Sequence, residues 1–233
     1  DGDDWVVTGQ KVWTSGAQYS KWCMLVARTD PDQPKHKGLT YFLMDMESPG
    51  VQVRPLVQIT GSPEFNELFL EEVRIPHSQM LGKEGDGYRI ALSNLEAGRI
   101  GIAAQSVGMA RAAFEAAVRY ARDRVTFGVA IIEHQAVSFR LADMATQLDA
   151  ARLMVWRAAS LQDAGRPRLK QASRAKMFAS EMAEKVCSDA IQIHGGYGYV
   201  SDFPVERIYR DVRVCQIYEG TSDIQRLVIG RAL

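Results

Sequence analysis

The chain has 233 residues, 46% hydrophobic and 24% charged, ordinary values for a globular protein with room for one large domain or two modest ones. Basic and acidic residues balance at 28 each, a formal net charge of zero, which argues against a bulk polyanion such as DNA as partner. Three scattered cysteines without CxxC spacing and four scattered histidines argue against a disulfide framework or a metal site and for a reducing compartment, and no apolar run is long enough to span a membrane.

The opening "DGDDWVVTGQ" reads as loop into strand, as expected of a chain that begins inside a domain. "DWVVTGQKVW" reads as two short β-rich runs around Thr8-Gly9, a hairpin by its turn chemistry. "WCMLVAR" at 22–28 and "GLTYFLMDM" at 38–46 are strand-like, separated by the polar loop "TDPDQPKHK". "GVQVRPL" and "FNELFLEEVRIP" alternate and are punctuated by Pro49-Gly50 and Pro76. These segments predict a small antiparallel β-domain over 1–82.

From residue 83 the period changes. "GKEGDGYRIAL" looks like a loop feeding a helix. Ala103, Val107, Ala110, Phe114, Val118 and Ala121 then fall at three- and four-residue steps. Leu141, Met144, Leu148, Ala151, Val155 and Ala158 form a second such stripe, and Ala175, Phe178, Met182, Val186, Ala190 and Ile193 a third. Gly165 and Pro167 separate the second helix from the third, and two shorter helices are expected near 203–214 and 222–231. The fold class is therefore α+β multidomain: a partial antiparallel β-domain, then an antiparallel helical bundle over 83–233.

Five segments stand apart from this core pattern. "VWTSGA" at 12–17 sets Trp13 beside Thr14 and Ser15, either a core aromatic with a turn or a flat wall with hydrogen-bonding groups. Glu96 and Arg99 share a helix face, as an exposed ion pair or a polar site. Arg122 and Arg124 in "RDRVTFG" either close a helix or grip phosphate. The glycines of "QIHGGYGY" suit a helix C-cap or close approach of a ligand, and His194 is better read as packed or capping than as a ligand. In "CQIYEGTSDIQR", Glu219 follows an apolar run, while Ser222 and Gln225 have capping-box spacing.

Taken together, "GQKVWTSGA", "GRIGIAAQSVGMA", "RDRVTFGVAIIEHQA", "QIHGGYGYV" and "QIYEGTSDIQRLVIGR" closely resemble the acyl-CoA dehydrogenase family, in its order and at compatible spacings. The resemblance implies a middle β-domain that lacks its first part, followed by a C-terminal four-helix bundle. A preceding helical domain of the family is not represented. It further implies α,β-dehydrogenation of an acyl-CoA thioester to a trans-2-enoyl-CoA, FAD as cofactor, electrons passed to an electron-transferring flavoprotein, and a homo-oligomer built as a dimer of dimers.

By the same resemblance Glu219 is the general base. A free carboxylate, pKa ~4.3, is a poor match for a thioester α-proton, so the base needs an apolar pocket. Some relatives carry the base immediately before the arginine of "NLEAGR"; here that position is Gly98. Trp13, Thr14, Ser15, Arg124, Thr126, Phe127, Gln135, Thr221, Ser222 and Asp223 match flavin-binding positions. Gln192, Gly195 and Gly196 match a block that reaches the flavin of a neighbouring subunit. Glu96, Arg99, Gly220 and Arg231 match substrate-side positions.

Two alternatives stay open at the level of sequence: an oxidase-type variant, and a truncated, non-catalytic oligomerisation or flavin-binding fragment. The bacterial cytoplasm and the mitochondrial matrix fit the cysteine usage equally. Acyl length and branching are not legible.

Overall fold

The computed structural model describes all residues, 1–233, and divides into two compact units, Asp1–Asn94 and Leu95–Leu233. Each is described on its own.

The first unit is built from six strands: β1 (Asp4–Lys11), β2 (Trp22–Arg28), β3 (Leu39–Asp45), β4 (Val51–Leu56), β5 (Phe65–Pro76) and the short β6 (Met80–Leu81). They form two three-stranded antiparallel sheets, ordered β1-β5-β4 and β2-β3-β6. Period-two alternation sends Leu25, Phe42, Met44, Leu68, Leu70, Val73 and Ile75 into one shared core. Each such buried side chain contributes roughly 1.5–3 kcal/mol.

The Thr8-Gly9 hairpin is not formed. Residues 4–11 make one strand that pairs along the twelve-residue β5, from Asp4 opposite Pro76 to Lys11 opposite Leu68. The glycine marks a register shift between Val7 and Gly9, and the Thr8 hydroxyl accepts a hydrogen bond from the Glu72 N–H at 3.1 Å. A β-bulge and a hairpin turn share the same residue chemistry, and here the long partner strand selects the bulge.

Three long helices, α1 (Gly87–Asp123), α2 (Gln135–Asp163) and α3 (Leu169–His194), and two short ones, α4 (Val205–Val212) and α5 (Ser222–Arg231), follow. A two-stranded hairpin, β7 (Val125–Thr126) with β8 (Val129–Ala130), links α1 to α2. In the second unit the stripe predicted for α2 is the set of residues that α2 buries. α1 turns Ala103, Ala110, Ala113, Ala117 and Ala121 inward, and α3 buries Ala175, Ala179, Met182, Ala183, Val186 and Ala190. Small residues let helix backbones approach closely, which leaves α3 enclosed on a wide arc by α2, α4 and α5. No helix is long and apolar enough to cross a membrane.

Candidate functional site

The loop between a 3-10 turn (Arg213–Gln216) and α5 carries Glu219. Its backbone adopts φ +55°, and Gly220 follows at +86°, two consecutive residues in the left-handed region. For a non-glycine residue that conformation costs on the order of 1 kcal/mol or more and persists only where its surroundings enforce it. The enforcement is visible. Gln225, fully buried on α5, donates from Nε2 to the Glu219 carbonyl at 3.2 Å and to the Gly220 carbonyl at 2.9 Å. Lys176, fully buried on α3, donates from Nζ to the same Gly220 carbonyl at 2.8 Å.

The carboxylate itself lies against α1. A Cβ built on Gly98 would stand 2.5 Å from Glu219 Oε2. That oxygen is buried and has no hydrogen-bond partner. Burial pushes the Glu219 carboxyl above its ordinary value, against the opposing pull of the Arg99 and Lys176 cations. Burial also lowers Arg99 and brings Lys176 down to about 8. Beside the loop the Tyr218 hydroxyl donates to Gln105 Oε1 at 2.9 Å, and burial raises its pKa.

Glu96 and Arg99 are not the exposed ion pair that their spacing allows. Arg99 is buried and donates to Ser173 Oγ at 3.2 Å, whereas Glu96 pairs with Arg168 at 3.7 Å. The capping assignment also shifts by one residue. Thr221 is the N-cap of α5, its hydroxyl accepting from the Ile224 N–H at 3.3 Å. Ser222 is the first helical residue, its Oγ buried without a partner, and Gln225 serves the loop carbonyls instead of a capping box. Asp223 is exposed in the first turn. Arg231 is exposed at the far end of α5, about 14 Å along the helix axis from Ser222, so the structure does not bring it to Glu219.

A separate cavity of the same unit, about 610 Å³, is lined by Tyr120, Arg124, Thr126, Gly195, Gly196 and Tyr197. The Arg124 guanidinium stacks over the Tyr197 ring at 5.9 Å, and Thr126 Oγ1 lies 3.0 Å from His134 Nε2. A Cβ at Gly195 or Gly196 would meet nothing within 4 Å, so the backbone is open to an approaching group. His194 is packed, stacked on Tyr120, with Nδ1 2.8 Å from the Ala190 carbonyl. Phe127 projects from the tip of the β7–β8 hairpin, 98% exposed and at φ +54°. Gln135 and Gln192 are exposed at the start of α2 and near the end of α3. In the first unit Trp13, at φ +65°, is 68% exposed rather than core; Thr14 donates its N–H to the Asn66 carbonyl, and Ser15 is exposed.

Residues 1–73 match the family model "Acyl-CoA dehydrogenase, middle domain", and residues 85–233 match "Acyl-CoA dehydrogenase, C-terminal domain". The chain belongs to the acyl-CoA dehydrogenase family. It is 46% identical over 231 residues to an acyl-CoA dehydrogenase of Bacillus subtilis, covering 98% of this chain and 61% of that relative. It is 45% identical over 233 residues to the human mitochondrial short-chain specific acyl-CoA dehydrogenase, covering 99% of this chain and 56% of the relative. The solved butyryl-CoA dehydrogenase of Megasphaera elsdenii superposes with a TM-score of 0.94 at 38% identity, over 100% of this chain and 61% of that one. The chain thus spans less than two thirds of the length of these acyl-CoA dehydrogenases.

Of the two side chains that support the Glu219 loop, Lys176 on α3 is the one sequence reasoning missed, and Gln225 on α5 is expected only as half of a capping box. Lys176 did leave a signal. It stands on the same stripe as Ala172, Ala179 and Ala183, a lysine on a face otherwise made of small apolar residues.

Proposed function

We propose that this chain carries the base and part of the flavin site of an FAD-dependent acyl-CoA dehydrogenase, with Glu219 removing the α-proton of the thioester. The observation that carries the reading is the state of Glu219: a buried carboxylate oxygen with no donor on it, raised in proton affinity by burial and held on a strained loop. An oxygen with no hydrogen bond keeps a lone pair free, and a raised pKa narrows the gap to a weak carbon acid. Arg99 and Lys176 supply the positive field that keeps the carboxylate ionised before reaction.

The residues present fit a flavin nucleotide. Arg124, Thr126, Gly195 and Gly196 share one open cavity, where a guanidinium and bare backbone suit phosphate. The unpartnered Ser222 hydroxyl at the N-terminus of α5 lies beside Thr221 and Asp223. In the second unit the exposed Phe127 suits a planar ring system, and Gln135 and Gln192 add exposed amides; in the first unit the exposed Trp13, with Thr14 and Ser15 next to it in the chain, suits one in its own right. FAD, when bound, supplies the hydride acceptor at N5. Glu96 and Arg99 are assigned to the substrate side. An electron-transferring flavoprotein as acceptor and a homo-oligomeric dimer of dimers complete the reading.

The relatives named for short-chain and butyryl substrates support a short straight-chain acyl-CoA as substrate. Anaerobic titration of the flavin-loaded protein with butyryl-, octanoyl- and palmitoyl-CoA should bleach the flavin most effectively with the first; a preference for palmitoyl-CoA would overturn the chain-length assignment. Glu219→Gln should lower turnover by about 10²–10⁴-fold with flavin retained. A loss below about tenfold would sink the base assignment.

A further inference from the structure

The ammonium of Lys176 is fully buried, yet its one hydrogen bond is to a neutral backbone carbonyl, that of Gly220, and it belongs to no ion pair. Placing a charge there without a carboxylate partner is a poor route to stability; an apolar side chain of similar volume would serve α3 packing better. The charged groups that face it come from several elements: Arg99 on α1, Glu219 on the loop, Glu181 on its own helix, with the Cys215 thiol on the 3-10 turn. Of the two acids, Glu219 is the one whose adjoining carbonyl it holds.

We propose that Lys176 is the positioning residue of the Glu219 loop, its buried ammonium gripping the Gly220 carbonyl and acting as the fixed positive charge that keeps the carboxylate ionised and aimed. The proposal rests on Glu219 being the group that acts. Two donors converge on one carbonyl: Lys176 Nζ at 2.8 Å from α3 and Gln225 Nε2 at 2.9 Å from α5. They pin the Gly220–Thr221 peptide from two helices, while Gln225 also holds the Glu219 carbonyl, which over-determines a backbone at φ +55° and then +86°. Gln225 supplies a hydrogen bond without charge. Lys176 adds the charge, and the coupling runs to Glu219 in both directions.

The test reads Glu219 directly. The protein is labelled with ¹³C at glutamate side-chain carboxyls, the Glu219 signal is assigned by its loss in Glu219→Gln, and its titration midpoint is followed in wild type, Lys176→Met and Lys176→Arg. Lys176→Met should raise the midpoint by about half a pH unit or more, and Lys176→Arg should leave it near wild type, because the charge is kept. The acid limb of kcat/KM against pH should move in the same way. An unmoved midpoint in folded Lys176→Met would overturn the proposal. Should that variant not fold, ζ-¹⁵N-lysine titration of the unaltered protein decides: Lys176 must stay protonated across the range in which Glu219 ionises, and a neutral amine there would overturn the proposal equally. Failure of the two readings is distinguishable. Undiminished turnover in Glu219→Gln refutes the base while leaving the titration standing, and a Glu219 midpoint indifferent to Lys176 does the reverse.

Discussion

Gly98 and Glu219 share one small volume: a Cβ on Gly98 would lie 2.5 Å from Oε2 and 2.7 Å from Cδ of the glutamate. A side chain at 98 and the Glu219 carboxylate therefore exclude each other. This accounts for glycine inside a long helix, where it costs roughly 0.5–1 kcal/mol relative to alanine. Gly98→Ala should leave stability unchanged or slightly raised, since helix propensity improves and the clashing group is a side chain that can swing away. Turnover should fall about tenfold or more as the carboxylate is displaced. Thermal unfolding alongside steady-state kinetics checks both halves; unimpaired turnover would mean that Glu219 need not occupy that place.

How much of this was legible beforehand differs by residue, and for physical reasons. The α2 stripe from Leu141 to Ala158 was readable because burial alone sets it, and every position predicted is buried. Thr8-Gly9 suits a hairpin and a bulge equally by local chemistry, and only the pairing with β5 chooses the bulge. The loop carrying Glu219 was visible as a sequence block, but its support was not. Lys176 lies 43 positions before Glu219 in the sequence, and no periodicity says that its ammonium will meet Gly220. Spacing puts Glu96 and Arg99 on one face and leaves an ion pair and a polar site equally open; the packed α3 gives Arg99 a serine, and Glu96 turns to Arg168.

Gln225 is the uncharged half of the loop's support. Gln225→Leu keeps the volume but leaves the Glu219 carbonyl without its donor, a loss of about 1–3 kcal/mol. The midpoint of thermal unfolding should drop by several degrees. The kinetic loss should fall on kcat more than on KM if Glu219 is the base as proposed, because its carboxylate is then less well held. A rise in KM alone would argue that Gln225 lines the substrate site instead.

The N-terminus of α5 separates a capping hydroxyl from a buried, unpartnered one. Thr221→Ala removes the cap on the Ile224 N–H and should cost about 1 kcal/mol, with Thr221→Ser restoring it. Ser222→Ala removes an oxygen that bonds to nothing in the chain and should leave stability within about 0.5 kcal/mol. If Ser222 faces the flavin as proposed, the same change should weaken flavin retention, measured by fluorescence of the released cofactor. Equal stability losses at 221 and 222 would return the capping role to Ser222.

Lys176 should also leave a mark on stability at alkaline pH. Its folded-state pKa of about 8 lies below the ordinary 10.5, so between those values the unfolded chain binds more protons than the folded one. Stability contributed by this group therefore rises with pH across that window, because the cost of burying the ammonium disappears as it is neutralised. The Cys187 thiol, pushed by burial up to about 12 from 9.0, acts with the opposite sign above its ordinary value. That contribution is common to wild type and Lys176→Met and cancels in their difference. Urea unfolding of both proteins at about pH 7 and about pH 10 should show the wild type gaining on the variant as pH rises. A difference that stays flat would mean that the lysine carries its charge in the fold as comfortably as in water, and its burial would then need another explanation.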